Sequence, residues 1–275
     1  MGGIIMPELP EVETVRRVLL GSLKGRRIVK IESDYPEMVE QDFNLFKDSL
    51  INEEFLDISR MGKYLIFKMT NNYLIAHLRM EGKFFYVKTN SLMNKHIHMI
   101  FELDNGYSLL YQDTRKFGRM VVKKEEELYI TKPLNKLALD ANNPNFSKEE
   151  LYNHLKSRKI PIKEALLNQE IIAGLGNIYV DEVLFASKIN PLREAASLSL
   201  DECEAILKES KRILDKAIEY KGTTIRSYTS SLGVEGEFQN FLCVHTKSIC
   251  PLCGAIISKT KISGRGTYYC MRCQK

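Results

Sequence analysis

Behind Pro10, the apolar residues Val12, Val15, Val18 and Leu19 fall three or four positions apart, the spacing of one helix face with proline in its first turn, and the pattern closes near Gly21. Strand-like runs follow at 26–34, 55–59, 63–69, 73–78, 83–87, 96–103 and 107–112. Asn71-Asn72 and Asp104-Asn105-Gly106 are sharp turns of the kind that join hairpin strands. The first half is therefore expected to be an antiparallel β-sandwich or barrel with a helix at its start. After about Lys136 the pattern becomes helical. Ser147 with Glu150, and Ser199 with Glu202, are capping boxes that open helices, the second running to Tyr220 with Gly222 just past its end. Between them, 161–168 and 177–186 read as two short helices separated by a turn containing Gly174 and Gly176. The segment 132–143, with Pro133, is the expected hinge. The fold class is α+β.

Composition narrows this picture. A chain of 275 residues, 44% hydrophobic and 27% charged, has the make-up of a globular protein of about two domains and not of a disordered tail. No run of about 18 apolar residues is present to cross a bilayer, and 1–9 lacks the pattern of a secretory signal. A soluble, cytoplasmic protein with no membrane partner is expected. The formal charge is +5. From Asn240 to Lys275 the chain carries Lys247, Lys259, Lys261, Arg265, Arg272 and Lys275 and no acid, so the positive surplus belongs to this tail.

The tail also holds Cys250, Cys253, Cys270 and Cys273, two Cys-x2-Cys pairs sixteen residues apart. That spacing offers four thiolates to one tetrahedral Zn2+. Disulfides would require an oxidising compartment. Four thiolates leave no open position for water, so the zinc is expected to be structural and the chemistry to lie elsewhere. Cys203 and Cys243 are read as small buried side chains. A zinc hairpin whose loop carries Lys259, Lys261 and Arg265 suits a phosphate backbone, although a protein-binding ribbon shares the same outline. The turn before Asn177 could hold a phosphate at a helix start, or could be an ordinary helical hairpin. The stretch Met6-Pro7-Glu8-Leu9-Pro10-Glu11 likewise has two readings. One is a proline-started helix with acids in its first turn. The other requires Pro7 at the chain end, where its secondary amine is a nucleophile beside the Glu8 carboxylate.

Six stretches then align with one family. PELPEVE from Pro7, MGKYL around Lys63, HLRMEGKF around Met80, DTRKFG around Arg115, IKEALLNQEIIAGLGNIYVDE and GRGTYYCMRC stand in the order of bacterial formamidopyrimidine-DNA glycosylases, which the chain resembles from Met6 to its last residues. The resemblance implies an N-terminal β-sandwich with an N-terminal helix (7–136), a helix-two-turn-helix domain (137–240) and a four-cysteine zinc finger (241–275). It also implies a monomer acting on double-stranded DNA that contains oxidised bases or abasic sites, with one structural zinc.

By the same resemblance, Pro7 is the nucleophile that attacks C1′, releases the base and cuts the strand by β,δ-elimination through a Schiff base. Glu8 is the general acid/base at the sugar, and Lys63 a catalytic lysine near the phosphates and O4′. Asn177 and Arg265 grip the flanking phosphates, His96 and Lys163 belong with the DNA-binding set, and Lys163 is further implicated in processing damaged purines. Met80, Arg115 and Phe117 fill the hole left by the everted base, in keeping with how inserted side chains offset unstacking. Arginine two positions before phenylalanine favours the oxidised-purine branch, for 8-oxoguanine and formamidopyrimidines, over the endonuclease VIII branch. The segment 223–239, with Gly233 and Gly236, corresponds to a lid over the everted base. One departure stands out: five residues precede Met6, whereas the chemistry needs Pro7 at the chain end, because an amide nitrogen is no nucleophile. Translation starting at Met6, followed by its removal, is the expected resolution. If the extension persists, a non-catalytic damaged-DNA-binding protein is the expected alternative.

Overall fold

The computed structural model describes residues 7–89, 91, 94–223 and 236–275. The extension 1–6 and most of the expected lid, 224–235, lie outside the described residues. The chain divides into two compact units, Met1–Asn135 with Lys221–Gly236, and Lys136–Tyr220 with Glu237–Lys275. The fold class is α+β, and among the described residues no helix is long and apolar enough to cross a membrane.

The first unit opens with α1, Leu9–Leu23. Glu8 is its N-cap, and the Glu8 backbone N–H donates to Glu11 Oε2 at 2.9 Å, one arm of a capping box that holds the first turn. Val12, Val15, Leu19 and Leu23 are fully buried, so the three-and-four spacing does mark the inward face. The helix runs past Gly21, where nothing approaches a Cβ position, and ends at Leu23 with Lys24 as its C-cap, and the chain turns away at Gly25, whose φ of +77° takes the left-handed conformation. Two antiparallel sheets follow. One has the order β1-β6-β7-β5, from Ile28–Glu32, Ile97–Leu103, Tyr107–Gln112 and Lys83–Lys88. The other has the order β2-β3-β4-β8, from Phe55–Met61, Tyr64–Met69, Tyr73–His77 and Arg119–Lys123. Phe55, Phe67, Phe84, Phe101 and Tyr111, with the apolar face of α1, form one core drawn from both sheets.

Seven of these strands lie where the sequence places them. β8 and the short helix α2, Phe43–Asp48, are additions to that pattern. At six residues α2 is too short for a helical period to register, and it is held by the Asp42 carboxylate, which accepts from the N–H groups of Asn44 and Leu45. Tyr111 locks the end of the sandwich: a Cβ on Gly118 would fall 1.7 Å from its hydroxyl oxygen, and one on Gly82 2.0 Å from it. The loops on either side of the ring therefore pack directly on it.

The second unit contains α3, Lys148–Leu155; α4, Ile162–Leu167; α5, Asn177–Ala186; and α6, Leu200–Glu219. Ser147 and Ser199 cap α3 and α6 by accepting from the Glu150 and Glu202 N–H groups. The turn between α4 and α5 is built around Gln169. Its Nε2 donates to the carbonyls of Leu167 and Leu175, and its Oε1 accepts from the Gly174 N–H, where φ is +93°. The hairpin β9–β10, Ser258–Ile262 and Arg265–Tyr269, closes the chain.

Gly118→Ala is expected to cost about 1–3 kcal/mol by overpacking against Tyr111. Combined with Tyr111→Leu, urea denaturation should give a cost smaller than the sum of the two single costs, since both act on the same contact.

Candidate active site and metal centre

Strand register places the candidate residues of the first unit at one end of the sandwich. Tyr64 pairs with Met61 and His77, and His77 with Arg119. In the other sheet Gln112 pairs with Lys83 and Ile97. The β2–β3 turn carrying Lys63, the 78–82 loop carrying Met80, His96 just ahead of β6, and the 113–118 loop carrying Arg115 and Phe117 all issue from these two rows. The Asp113 N–H donates to the His96 carbonyl at 2.9 Å, which fastens two of them together.

Pro7 and Glu8 are buried at the start of α1. The helix is tied toward the β2–β3 turn through Glu13, whose carboxylate meets Arg60 Nε at 3.5 Å, while Arg60 Nη1 donates to the Gly62 carbonyl at 2.8 Å. Burial pulls the Glu13 carboxyl up, but hydrogen bonds from Arg16 and Arg17 and the charge of Arg60 hold it below its ordinary value. Lys63 is only 7% exposed, so it is not an ordinary surface lysine at a hairpin tip.

The 113–118 loop is organised by Asp113, which opens the DTRKFG stretch without being a candidate in its own right. The fully buried Asp113 carboxylate accepts from the N–H groups of Arg115, Phe117 and Gly118 at 3.0, 2.9 and 2.7 Å. The loop thereby turns its side chains outward: Phe117 is 44% exposed and the Arg115 guanidinium lies 4.6 Å from its ring centre. Met80 and His96 are half-buried at the same end.

His77 is a second residue that sequence reasoning misses. It sits in an apolar strand context and is buried, yet its Nδ1 accepts the Arg79 N–H at 2.9 Å, which leaves the ring proton on Nε2. Burial, then the charges of Arg79 and Lys63, push its pKa down to about 3. The ring is a neutral donor beside Lys63 at any working pH.

In the second unit, the sulfurs of Cys250, Cys253, Cys270 and Cys273 lie within 4.8 Å of one another, with Cys250 to Cys273 at 3.8 Å and Cys253 to Cys270 at 3.5 Å. Zn–S bonds of about 2.3 Å in a tetrahedron put sulfurs about 3.8 Å apart, so the four thiols fit one structural Zn2+. Cys203 is buried, as expected, and Cys243 partly so.

Lys163 requires a correction. Expected among the DNA-contacting residues, it is fully enclosed, with Nζ donating to Asp181 Oδ1 at 2.7 Å and to the Gly266 carbonyl at 3.0 Å. A charge so placed is neutralised inside the protein and does not reach a phosphate. Asn177, the first residue of α5, donates from Nδ2 to the same carbonyl at 3.1 Å, and Arg265, one residue before that carbonyl, is exposed. The acids Asp181 and Glu182, embedded in an apolar helix, close the stretch IKEALLNQEIIAGLGNIYVDE, but the sequence gives them no role of their own. Glu182 accepts from the N–H groups of Cys243, Val244 and His245, and burial still raises its carboxyl above the ordinary value.

A sandwich end that gathers a buried lysine and an outward aromatic paired with a guanidinium, together with a helical unit bearing a cationic zinc hairpin, defines a zinc-finger enzyme of nucleic acid. The chain belongs to the formamidopyrimidine-DNA glycosylase family. Residues 6–120 match its N-terminal domain, 137–229 its H2TH domain, and 249–275 the zinc finger found in FPG and IleRS. A formamidopyrimidine-DNA glycosylase of Ureaplasma parvum is 44% identical, over 98% of this chain and 100% of that protein. One from Streptococcus pneumoniae is 41% identical, over 98% and 99%. A Lactococcus lactis FPG variant solved with Fapy-dG-containing DNA superposes with a TM-score of 0.92 at 39% identity, covering 98% of this chain and 100% of that one. The L. lactis protein with abasic-site DNA gives the same score and coverage.

Two outcomes follow for the site. Above about pH 6.5 His77 is neutral whether the chain is folded or not. Between about 6.5 and about 3 the unfolded chain takes up a proton that the native chain refuses, so stability falls as the pH falls, by up to about 1.4 kcal/mol per unit. His77→Gln should flatten this slope in urea denaturation, and an unchanged slope would assign the acid sensitivity to another group. Chelating the zinc should expose the β9–β10 amides to hydrogen exchange while leaving those of the two sheets protected.

Proposed function

We propose that the chain is a bifunctional DNA glycosylase and apurinic/apyrimidinic lyase of base-excision repair that removes oxidised purines, 8-oxoguanine and ring-opened formamidopyrimidines, from duplex DNA. The observation that carries this reading is the single sandwich end at which Lys63, Met80, His96 and the Arg115–Phe117 pair are gathered, with Pro7-Glu8 on the helix tied to it through Glu13 and Arg60.

In this reading the Pro7 amine attacks C1′ of the damaged nucleotide and the base departs with the electrons of its glycosidic bond. The C1′–O4′ bond then opens, O4′ taking a proton, and the iminium formed at C1′ makes a C2′ proton acidic enough for β-elimination of the 3′ phosphate and then, through the conjugated alkene, the C4′ proton acidic enough for δ-elimination of the 5′ phosphate. Glu8 moves protons at the sugar. Lys63, with His77 donating from Nε2, faces the phosphate of the reacting nucleotide. Met80, Arg115 and Phe117 enter the stack, Phe117 as the wedge and Arg115 as the guanidinium that pairs with the orphaned base. Arg265 and Asn177 grip the neighbouring phosphates and His96 adds a further DNA contact. The segments 7–136, 137–240 and 241–275 act as chemical, DNA-binding and finger domains of a monomer working in the cytoplasm, at the nucleoid.

The active form begins at Pro7, because only there does the nitrogen carry a lone pair able to attack carbon. Borohydride trapping on a duplex with an abasic site tests this: a chain starting at Pro7 is expected to form a covalent adduct and one retaining residues 1–6 to form none. Absence of both adduct and strand cleavage from the Pro7 form would overturn the enzymatic reading. Intact mass of the native protein shows which form the cell makes.

A further inference from the structure

The hairpin that carries Arg265 has only two strands, and such a ribbon is marginal without support. Its support comes from α5. Asp181 is fully enclosed, and its Oδ1 takes the Lys163 ammonium at 2.7 Å. Its Oδ2 takes the ring N–H of His245 at 2.8 Å and the backbone N–H of Tyr268 at 3.2 Å. Lys163 in turn shares the Gly266 carbonyl with Asn177. The backbone on either side of Thr267 is thereby fixed to the first turns of α5, and the Arg265 backbone is held close to Asn177. His245 is buried, its ring lies edge-on to Tyr268 with centres 5.0 Å apart, and its own backbone N–H is taken by Glu182. The ring therefore directs its Nδ1 proton at Asp181.

From this arrangement we infer that His245 is a positioning residue of the phosphate grip: its Nδ1–H keeps Asp181 on the Tyr268 amide and so sets where Arg265 and Asn177 present their donors. The inference rests on the assignment of Arg265 and Asn177 as phosphate contacts. Without the imidazole donor, Oδ2 keeps one long hydrogen bond, and a buried carboxylate short of donors turns to find others. The hairpin then loses its register on α5 while the zinc knuckles, built from other residues, persist.

The test uses the zinc-loaded full chain and a duplex with an abasic-site analogue, measured by anisotropy against salt, with zinc content determined for every variant. His245→Phe keeps the ring contact with Tyr268 and removes only the donor. It is expected to weaken binding about tenfold and to lower the salt slope by about one, the change also expected of Arg265→Ala. His245→Asn, whose amide can donate to the same carboxylate, should restore binding. In the Pro7 form, His245→Phe should raise KM for the lesion duplex and leave kcat in place, a split that general loss of folded protein does not produce. In an Arg265→Ala background it should add nothing. If Arg265→Ala lowers the slope and His245→Phe does not, the inference is overturned and the grip stands. If Arg265→Ala itself leaves the slope unchanged, the grip falls and the inference with it. If His245→Phe fails to hold zinc, His245→Ala is read in the same way, and loss of zinc in both would overturn a positioning role in favour of a structural one.

Discussion

A carboxylate enclosed by protein and satisfied by the N–H groups of a loop is the interaction on which this molecule depends. Glu11 on α1 accepts from the Glu8 backbone through one oxygen and from the Thr223 backbone and hydroxyl through the other. Asp113 at the end of β7 accepts three loop amides. Asp181 and Glu182, consecutive on α5, take four more from the finger and the segment leading into it. An ionised carboxylate cannot be buried unless such donors reach it, and hydrogen bonds to charge contribute about 1.5–3 kcal/mol each, more than neutral ones. Each acid therefore sits on a helix or strand end whose place is set by apolar packing, and each determines the path of an adjoining loop. Loops held from within in this way are free to turn their side chains outward.

That explains how the first unit can present an aromatic ring to solvent. Phe117 would gain by burial, and in an unconstrained loop it would fold back onto the protein. The Asp113 amide contacts and the packing of Gly82 and Gly118 on Tyr111 leave the loop no room to do so, and the Arg115 guanidinium covers one ring face. In the proposed role of Phe117 as a wedge, a side chain that is already ordered avoids the entropy of ordering it in the complex, which matters when eversion of a base itself costs a few kcal/mol.

The apolar architecture is legible in the sequence, whereas these acids are hidden. α5 lies where the spacing and the glycines before it put it, seven strands of the sandwich coincide with runs seen in the chain, and the cysteine spacing foretells the metal site. Each of those signals is periodic or has a fixed local spacing. α2, at six residues, is too short to carry a helical period, and β8, although as long as β1, begins one residue past the charged loop 113–118 with no turn signal of its own to set it off. Asp181 and Glu182 act on partners brought near by the folded chain, up to 87 positions away in the case of Asp181 and Tyr268, so no local pattern announces what they hold, whereas Asp113 acts on amides two to five positions on and only its burial in the fold shows that it organises the loop. Lys163 misleads for a related reason: the resemblance carries it over as a DNA-binding residue, and only the enclosed Asp181 beside it shows where its charge goes. His77 is the reverse case, an imidazole in an apolar strand that the backbone N–H of Arg79 converts into a defined donor.

Charge placement follows from the same principle. A zinc centre with four thiolates carries about −2, which offsets part of the surplus on the tail. Asp181 is matched by Lys163 inside the protein, and Glu182 by backbone amides, so the acids that hold the finger project little negative field through it. Arg265 and Lys261 on the hairpin remain exposed and uncompensated by any acid of the tail. The finger is thus built on carboxylates and yet presents a cationic surface. This works because every buried negative charge is consumed locally by the contacts that fix the geometry.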